Sequence, residues 1–107
     1  MGKKPMRQRT ARRAAERAAA KLSDARERLA SLEPGGSGSR PLPVESASQI
    51  EPHALASACL RCGGANRLVE HVAIPHDGET LRVARLQCPQ CGALRECWFR
   101  IAPAWAN

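Results

Sequence analysis

Apolar residues recur along the first third of the chain in alternating steps of four and three: Ala11, Ala15, Ala18, Leu22, Ala25, Leu29 and Leu32. This is the spacing of an a/d seam on one face of an α-helix. From about Arg9 to Glu33 the surrounding residues are mostly Ala, Arg, Glu, Lys and Leu without Gly or Pro, a strongly helix-forming composition. Pro34-Gly35-Gly36 stops the pattern. Residues 34–43, Pro-Gly-Gly-Ser-Gly-Ser-Arg-Pro-Leu-Pro, show no apolar period and predict a flexible linker that stiffens toward its prolines. Residues 44–58 form a lead-in segment in which Ser48 and Glu51 match a capping box, while Pro52 suits a first helical position; a short helical turn before Cys59 is expected.

Beyond Cys62 the period shortens to two. Leu68, Val69, Val72 and Ile74 mark a strand, Pro75-His76-Asp77-Gly78 a turn, and Leu81, Val83 and Leu86 a returning strand. Asp77-Gly78 is a hairpin signal, and the flanking proline and glutamate predict a loop longer than two residues. A third strand is expected over Leu94 to Ile101, with Ala93, Cys97, Phe99 and Ile101 on one face and Leu94 and Trp98 on the other. Neither face is purely polar, which predicts partial cover from residues 44–58. The expected division is an arm over 1–33, a linker over 34–43, the lead-in over 44–58, a metal module over 59–101 and a loose terminus over 102–107.

Composition changes this picture in two ways. The chain has 107 residues, and its only aromatics are Trp98, Phe99 and Trp105. A module of about 45 residues with so few large side chains falls below the size at which apolar burial alone supports a fold, so a staple is required. The formal net charge of +7 is also uneven. Residues 1–33 hold ten basic side chains against Glu16, Asp24, Glu27 and Glu33, so nearly all of the excess lies in the arm.

Cys59-Leu60-Arg61-Cys62-Gly63 and Cys88-Pro89-Gln90-Cys91-Gly92 supply the staple. Each C-x-x-C-G hook lets two sulfurs reach one ion, and its glycine can take the positive φ that turns backbone N–H groups toward them. Four thiolates complete a tetrahedron and leave no open position for water or substrate, which points to a structural metal and not a catalytic one. A disulfide framework would call for a signal peptide and an even cysteine count. The basic, alanine-rich start lacks a secretory apolar core, although its arginine-rich, acid-poor character partly mimics a mitochondrial transit peptide. No stretch is long enough to span a bilayer, and a reducing, cytoplasmic setting is expected.

With these residues in view the chain resembles the zinc ribbon class, in which two C-x-x-C knuckles are joined by a β-hairpin and followed by a third strand. The resemblance covers about Cys59 to Ile101. It implies a three-stranded antiparallel ribbon holding one structural Zn²⁺ through Cys59, Cys62, Cys88 and Cys91, preceded here by a long basic helix and a flexible linker. The hooks also resemble those of rubredoxin, which holds a single iron. Rubredoxins, however, are acidic and aromatic around the metal, whereas tyrosine is absent here and the chain is basic.

Cys97, the fifth cysteine, reads as a small buried apolar residue within a strand, and His53, His71 and His76 as ordinary histidines. Trp98, Phe99 and Arg100 admit two readings, a base-stacking platform or a lid over a small core, and Trp105 could serve as a docking anchor. Zinc ribbons occur in transcription, translation and replication proteins, so the class constrains fold more than function. The basic arm favours a non-enzymatic protein associated with nucleic acid or with a nucleic-acid-bound protein, contacting phosphates through Lys3, Lys4, Arg7, Arg9, Arg12, Arg13, Arg17 and Lys21. The alternative is a protein–protein adaptor that pairs through the Ala/Leu stripe and the ribbon surface, with helix-mediated self-association as one form. No Ser/His/Asp constellation, phosphate-cradling glycine loop or paired carboxylates suggest an enzyme, and neither a small-molecule substrate nor a membrane partner is expected.

Overall fold

The computed structural model describes residues 7–102. Helix α1 (Gln8–Leu32) is followed by strand β1 (Leu42–Val44), a 3₁₀ turn (Ala47–Gln49), helix α2 (Ile50–Leu55) and strands β2 (Arg67–His76), β3 (Glu79–Gln87) and β4 (Leu94–Ile101). Lys3, Lys4 and Trp105 lie outside the described residues.

The sheet has four strands in the order β1-β4-β3-β2 and is mixed, which corrects the expected three-stranded antiparallel ribbon. The β2-β3-β4 part is antiparallel, and β1 adds a parallel pairing to β4, with Leu42 opposite Phe99 and Val44 opposite Ile101. Pro43, which has no N–H to donate, is tolerated because β1 is an edge strand. Three residues carry too little alternation to read as a strand in the sequence. They pair here because Leu42 and Val44 pack at the margin of the core.

The β2-β3 turn is also tighter than expected. His76 pairs directly with Glu79, leaving only Asp77 and Gly78 in the loop. Both have positive φ, 49° and 82°, the conformation of a two-residue hairpin turn whose twist matches its strands.

The face of the sheet beneath α2 carries the main core. Ile50 and Ala54 of α2 pack on Ala84 and Leu86 of β3 and on Cys97 and Phe99 of β4, with Leu42, Val44, Ala47, Leu68 and Ile101 around them. Residues 44–58 therefore supply the anticipated cover. The cap, however, lies two residues earlier than the Ser48/Glu51 reading: Gln49 Oε1 accepts the N–H of Glu45 at 2.8 Å and that of Ser46 at 3.4 Å.

The opposite face is apolar at its centre, where Val72, Val83 and Trp98 stand in one cross-strand row and Ile74 faces Leu81 in the next. Leu81 and Val83 are fully buried. The segment expected to be a flexible linker is laid against this side of the sheet. The Gly35 carbonyl accepts the Trp98 N–H at 2.8 Å, the Gly35 N–H reaches the Arg40 carbonyl at 2.6 Å, and a Cβ at Gly38 would come within 2.6 Å of His76 Nε2. A Cβ at Gly36 would overlap the Ala30 carbonyl oxygen, so only glycine lets the chain double back on the end of α1. These backbone hydrogen bonds and close approaches hold in place a segment whose Gly/Ser composition suggests flexibility.

Candidate metal centre

Each hook is built in the same way. The Gly63 N–H donates to the Cys59 carbonyl at 2.9 Å and the Gly92 N–H to the Cys88 carbonyl at 2.8 Å. The Cys59 N–H reaches the Gly64 carbonyl at 2.8 Å and the Cys88 N–H the Ala93 carbonyl at 2.9 Å. Both glycines have φ 76°, a value that L side chains rarely adopt, and this allows each loop to close on itself. The first hook precedes β2 and the second joins β3 to β4, so the antiparallel sheet brings the two loops to one end of the molecule.

There the four sulfurs of Cys59, Cys62, Cys88 and Cys91 lie within 4.8 Å of one another. Across the hooks, Cys59 Sγ is 3.5 Å from Cys91 Sγ and Cys62 Sγ is 3.4 Å from Cys88 Sγ. Four thiolates at about 2.3 Å from a tetrahedral zinc stand roughly 3.8 Å apart, so this donor set is positioned to coordinate one metal ion, as a single structural Zn²⁺ requires. When bound, the ion supplies a cross-link between the start of β2 and the β3-β4 connection. The first cysteine of each hook is buried and the second exposed, so the site sits half-sunk in the surface.

The thiols are electrostatically unequal. Cys59 is lowered to about 6, chiefly by the backbone N–H of Cys62, against the opposing effect of burial. Cys88 is lowered in the same way by the N–H of Cys91. Cys62 receives an N–H from Gly64 that lowers it, but the Cys88 sulfur, burial and the other sulfurs push it up to about 12. Cys91 is raised as well, with Cys59 and burial outweighing the Ala93 N–H. The two sulfur pairs that cross between hooks thus each join a thiol that ionises readily to one that holds its proton, and a bound cation must displace the proton of the second.

Cys97 stays apart from this cluster. It is buried among the core residues, and burial pushes its thiol up. Among the described residues no histidine joins the cluster. His53 is edge-on to Phe99, His71 faces Arg82, and His76 is edge-on to Trp98. The stacking platform does not assemble, because Phe99 is buried under α2 while Trp98 and Arg100 project from the other face, Arg100 in an ion pair with Glu79.

Two contacts at the centre escape sequence reasoning. Arg61, inside the first hook, reaches 34 residues back to α1, with Nε 2.8 Å from Glu27 Oε1 and Nη2 3.5 Å from Asp24 Oδ1. Gln90, inside the second, places Oε1 3.7 Å from Cys62 Sγ. Neither pairing has a local sequence signal, since both join residues far apart in the chain. A cleft of about 240 Å³ lies where α1 meets the first hook, with Glu27, Ala30, Arg61, Asn66, Leu94 and Trp98 in its walls.

The arm residues are arranged differently. Arg9, Arg13 and Arg17 are exposed on successive turns of α1, and Lys21 continues the row. Arg12 pairs with Glu16 at 3.4 Å; among the described residues Arg9, Arg13, Arg17 and Lys21 are in no salt bridge. Also among the described residues, no helix is long and apolar enough to cross a membrane.

The fold and site define a small mixed α and β protein with a four-cysteine metal centre at one end of its sheet. Comparison with protein-family models, curated proteins and solved structures finds no match.

Proposed function

We propose that the chain is a zinc-ribbon-type, non-enzymatic protein that associates with nucleic acid through its basic arm, while the zinc-stapled sheet serves as the rigid base. The observation that supports this reading is the contrast in how cations are used. Most arginines of the sheet module are matched to a carboxylate or a carbonyl oxygen, Arg82 meeting His71 instead, whereas among the described residues Arg9, Arg13, Arg17 and Lys21 form a row on α1 in no salt bridge. Like charges at i, i+4, as in Arg9, Arg13 and Arg17, destabilise an isolated helix. A polyanion along that row reverses the penalty, and releasing its counterions drives binding. Arg7, Arg9, Arg12, Arg13, Arg17 and Lys21 carry the contact within the described residues, and Lys3 and Lys4 extend it toward the N-terminus. A cytoplasmic setting fits the free thiols.

A salt titration tests the reading. If about six cations neutralise phosphates, log K for duplex DNA falls against log salt with a slope of about −5. Binding that is indifferent to salt removes the proposal.

A second reading, a protein–protein adaptor, has its own observation: Leu22, Leu29 and Leu32 are exposed on α1. Under it, Leu22→Glu with Leu29→Glu abolishes partner capture, while neutralising Arg12, Arg13 and Arg17 has little effect. The nucleic-acid reading gives the reverse order for nucleic-acid binding.

A further inference from the structure

The exposed leucines share one side of α1, and it is not the side that meets the rest of the molecule. Ala30 is the helix's one buried residue, Ser23, Ala25 and Glu27 are half-buried, and it is the side of Glu27 and Ala30 that meets the first hook. At about 100° per residue, the stripe of Leu22, Ala25, Leu29 and Leu32 lies roughly 150° around the helix from that contact. Its leucines keep 53%, 64% and 62% of their surface exposed, more than an ordinary anchored helix leaves on its apolar stripe. The stripe is therefore open to a partner that approaches without touching the sheet. Arg9, Arg13 and Arg17 lie on the far side of the helix from it.

We infer that this stripe pairs in parallel with the same stripe of a second copy of the chain, and does so when both arms lie on one nucleic acid. The inference rests on the nucleic-acid reading above. A second copy is favoured because the pattern is self-complementary: Leu22 and Leu29 are one heptad apart, Ala25 and Leu32 fill the alternate positions, and a two-fold axis beside the stripe leaves both sheets outside.

The charges bordering the stripe make the pairing conditional. In parallel register Arg28 of each copy faces Glu33 of the other and attracts it, whereas Lys21 faces Arg26 and repels it. Among the described residues none of these four side chains is in a salt bridge within its own chain. The attractive contacts lie at the sheet end of the stripe and the repulsive ones at the arm end, where phosphates would sit. A phosphate between Lys21 and Arg26 converts that repulsion into two attractions. Antiparallel pairing sets Lys21 against Arg28 and sends the arms to opposite ends, so it gains nothing from one shared polyanion.

Contact area leads to the same condition. From Leu22 to Leu32 the stripe is about 16 Å long on a helix about 10 Å across, far short of the ~800 Å² per partner of a stable interface. The free chain is then a monomer. Two arms held on one nucleic acid raise the local concentration enough for the short stripe to close. The arrangement is a forked pair of basic helices joined at their apolar ends, a geometry that can straddle a duplex groove.

Sedimentation velocity and binding isotherms on the full, reduced, zinc-loaded chain, alone and with a short duplex DNA or the matching single strand, test this. Support consists of a monomer alone, two chains per duplex bound with a Hill coefficient near 2, and a fall to near 1 in Leu22→Glu/Leu29→Glu with salt-dependent binding retained. Because both leucines are exposed, the double variant should keep its metal and its sheet, which bound zinc and amide dispersion verify. Lys21→Glu replaces the repulsion with attraction and should raise self-association of the free chain several-fold at low salt. Non-cooperative binding by the parent chain, cooperativity that survives the double substitution, a stable dimer without nucleic acid, or a Lys21→Glu chain that associates no better than the parent each overturns the inference and leaves the nucleic-acid reading standing. Absence of any binding at low salt overturns that reading itself, and the inference with it.

Discussion

Arg85 and Arg13 carry the same side chain in opposite circumstances. Arg85 stands between Glu70 and Glu96 in a row across β2, β3 and β4, paired with both carboxylates. Arg13 stands on α1 between Arg9 and Arg17 with no acidic neighbour in salt-bridge range among the described residues. Other arginines near the sheet are also matched, Arg61 and Arg100 to carboxylates and Arg40 and Arg95 to backbone carbonyls of Leu32 and Ala58, while Arg82 meets His71 and Arg12 on α1 pairs with Glu16. Charge in the sheet module is spent internally on register and attachment, where exposed pairs add little net stability but disfavour wrong partners. On the arm, by contrast, Arg9, Arg13, Arg17 and Lys21 are in no salt bridge among the described residues, and their like-charge spacing raises the helix's own free energy.

Metal removal should break this comparison most completely. Structural zinc in small domains contributes an apparent ~10–16 kcal/mol at neutral pH, more than a core as small as the Ile50–Phe99 cluster supplies alone. Chelation, or Cys88→Ser, should abolish the amide dispersion of the sheet while α1 keeps part of its far-UV signal. Lower pH acts in the same direction. Protons compete with the metal at all four sulfurs, and the depressed thiol of Cys59, lowered to about 6, stays ionised at neutral pH and takes up a proton only as pH falls through that value. Metal retention should therefore decline from pH 8 downward and fall most steeply below about 6, as followed by zinc release to a colorimetric chelator.

Core and backbone substitutions come next. Phe99→Ala should cost about 3–5 kcal/mol, read from urea denaturation of the zinc-loaded chain, because Phe99 is almost fully buried under α2. Gly36→Ala should cost about 1–3 kcal/mol, since the added methyl overlaps the Ala30 carbonyl and the turn beneath α1 must shift. A free tether would tolerate that change without loss, so an unchanged midpoint would restore the flexible-linker reading.

The arm should respond in the opposite sense. Arg13→Gln with Arg17→Gln should leave stability within about 0.5 kcal/mol yet reduce the magnitude of the nucleic-acid salt slope by about 2. The smallest effect is expected at the joint between the regions. Arg61→Gln removes the contact with Glu27 and Asp24, leaving metal content unchanged but increasing the ps–ns motion of α1 in amide relaxation.

The metal centre was legible in the linear chain because it depends on local geometry. Two residues between cysteines and a glycine after each pair suffice to build a hook, and both hooks adopted the same hydrogen bonds and the same positive φ. Helix α1 and the three long strands were legible for the same reason, each being longer than its period. The pairing of β1 was not, because Leu42-Pro43-Val44 is a strand only where β4 offers it an edge. Nor was the fate of residues 34–43, whose composition promises freedom while Leu81 and Val83 on the neighbouring face are buried.

Sequence alone thus settled the period of each long element, the reach of each cysteine pair and the uneven placement of charge, all of which are set by neighbours a few residues apart. Three-dimensional packing settled which strands adjoin, which arginines find carboxylates, and which side of α1 stays open. Those outcomes depend on residues distant in the chain competing for the same partner, and free energies of that kind have no local signature.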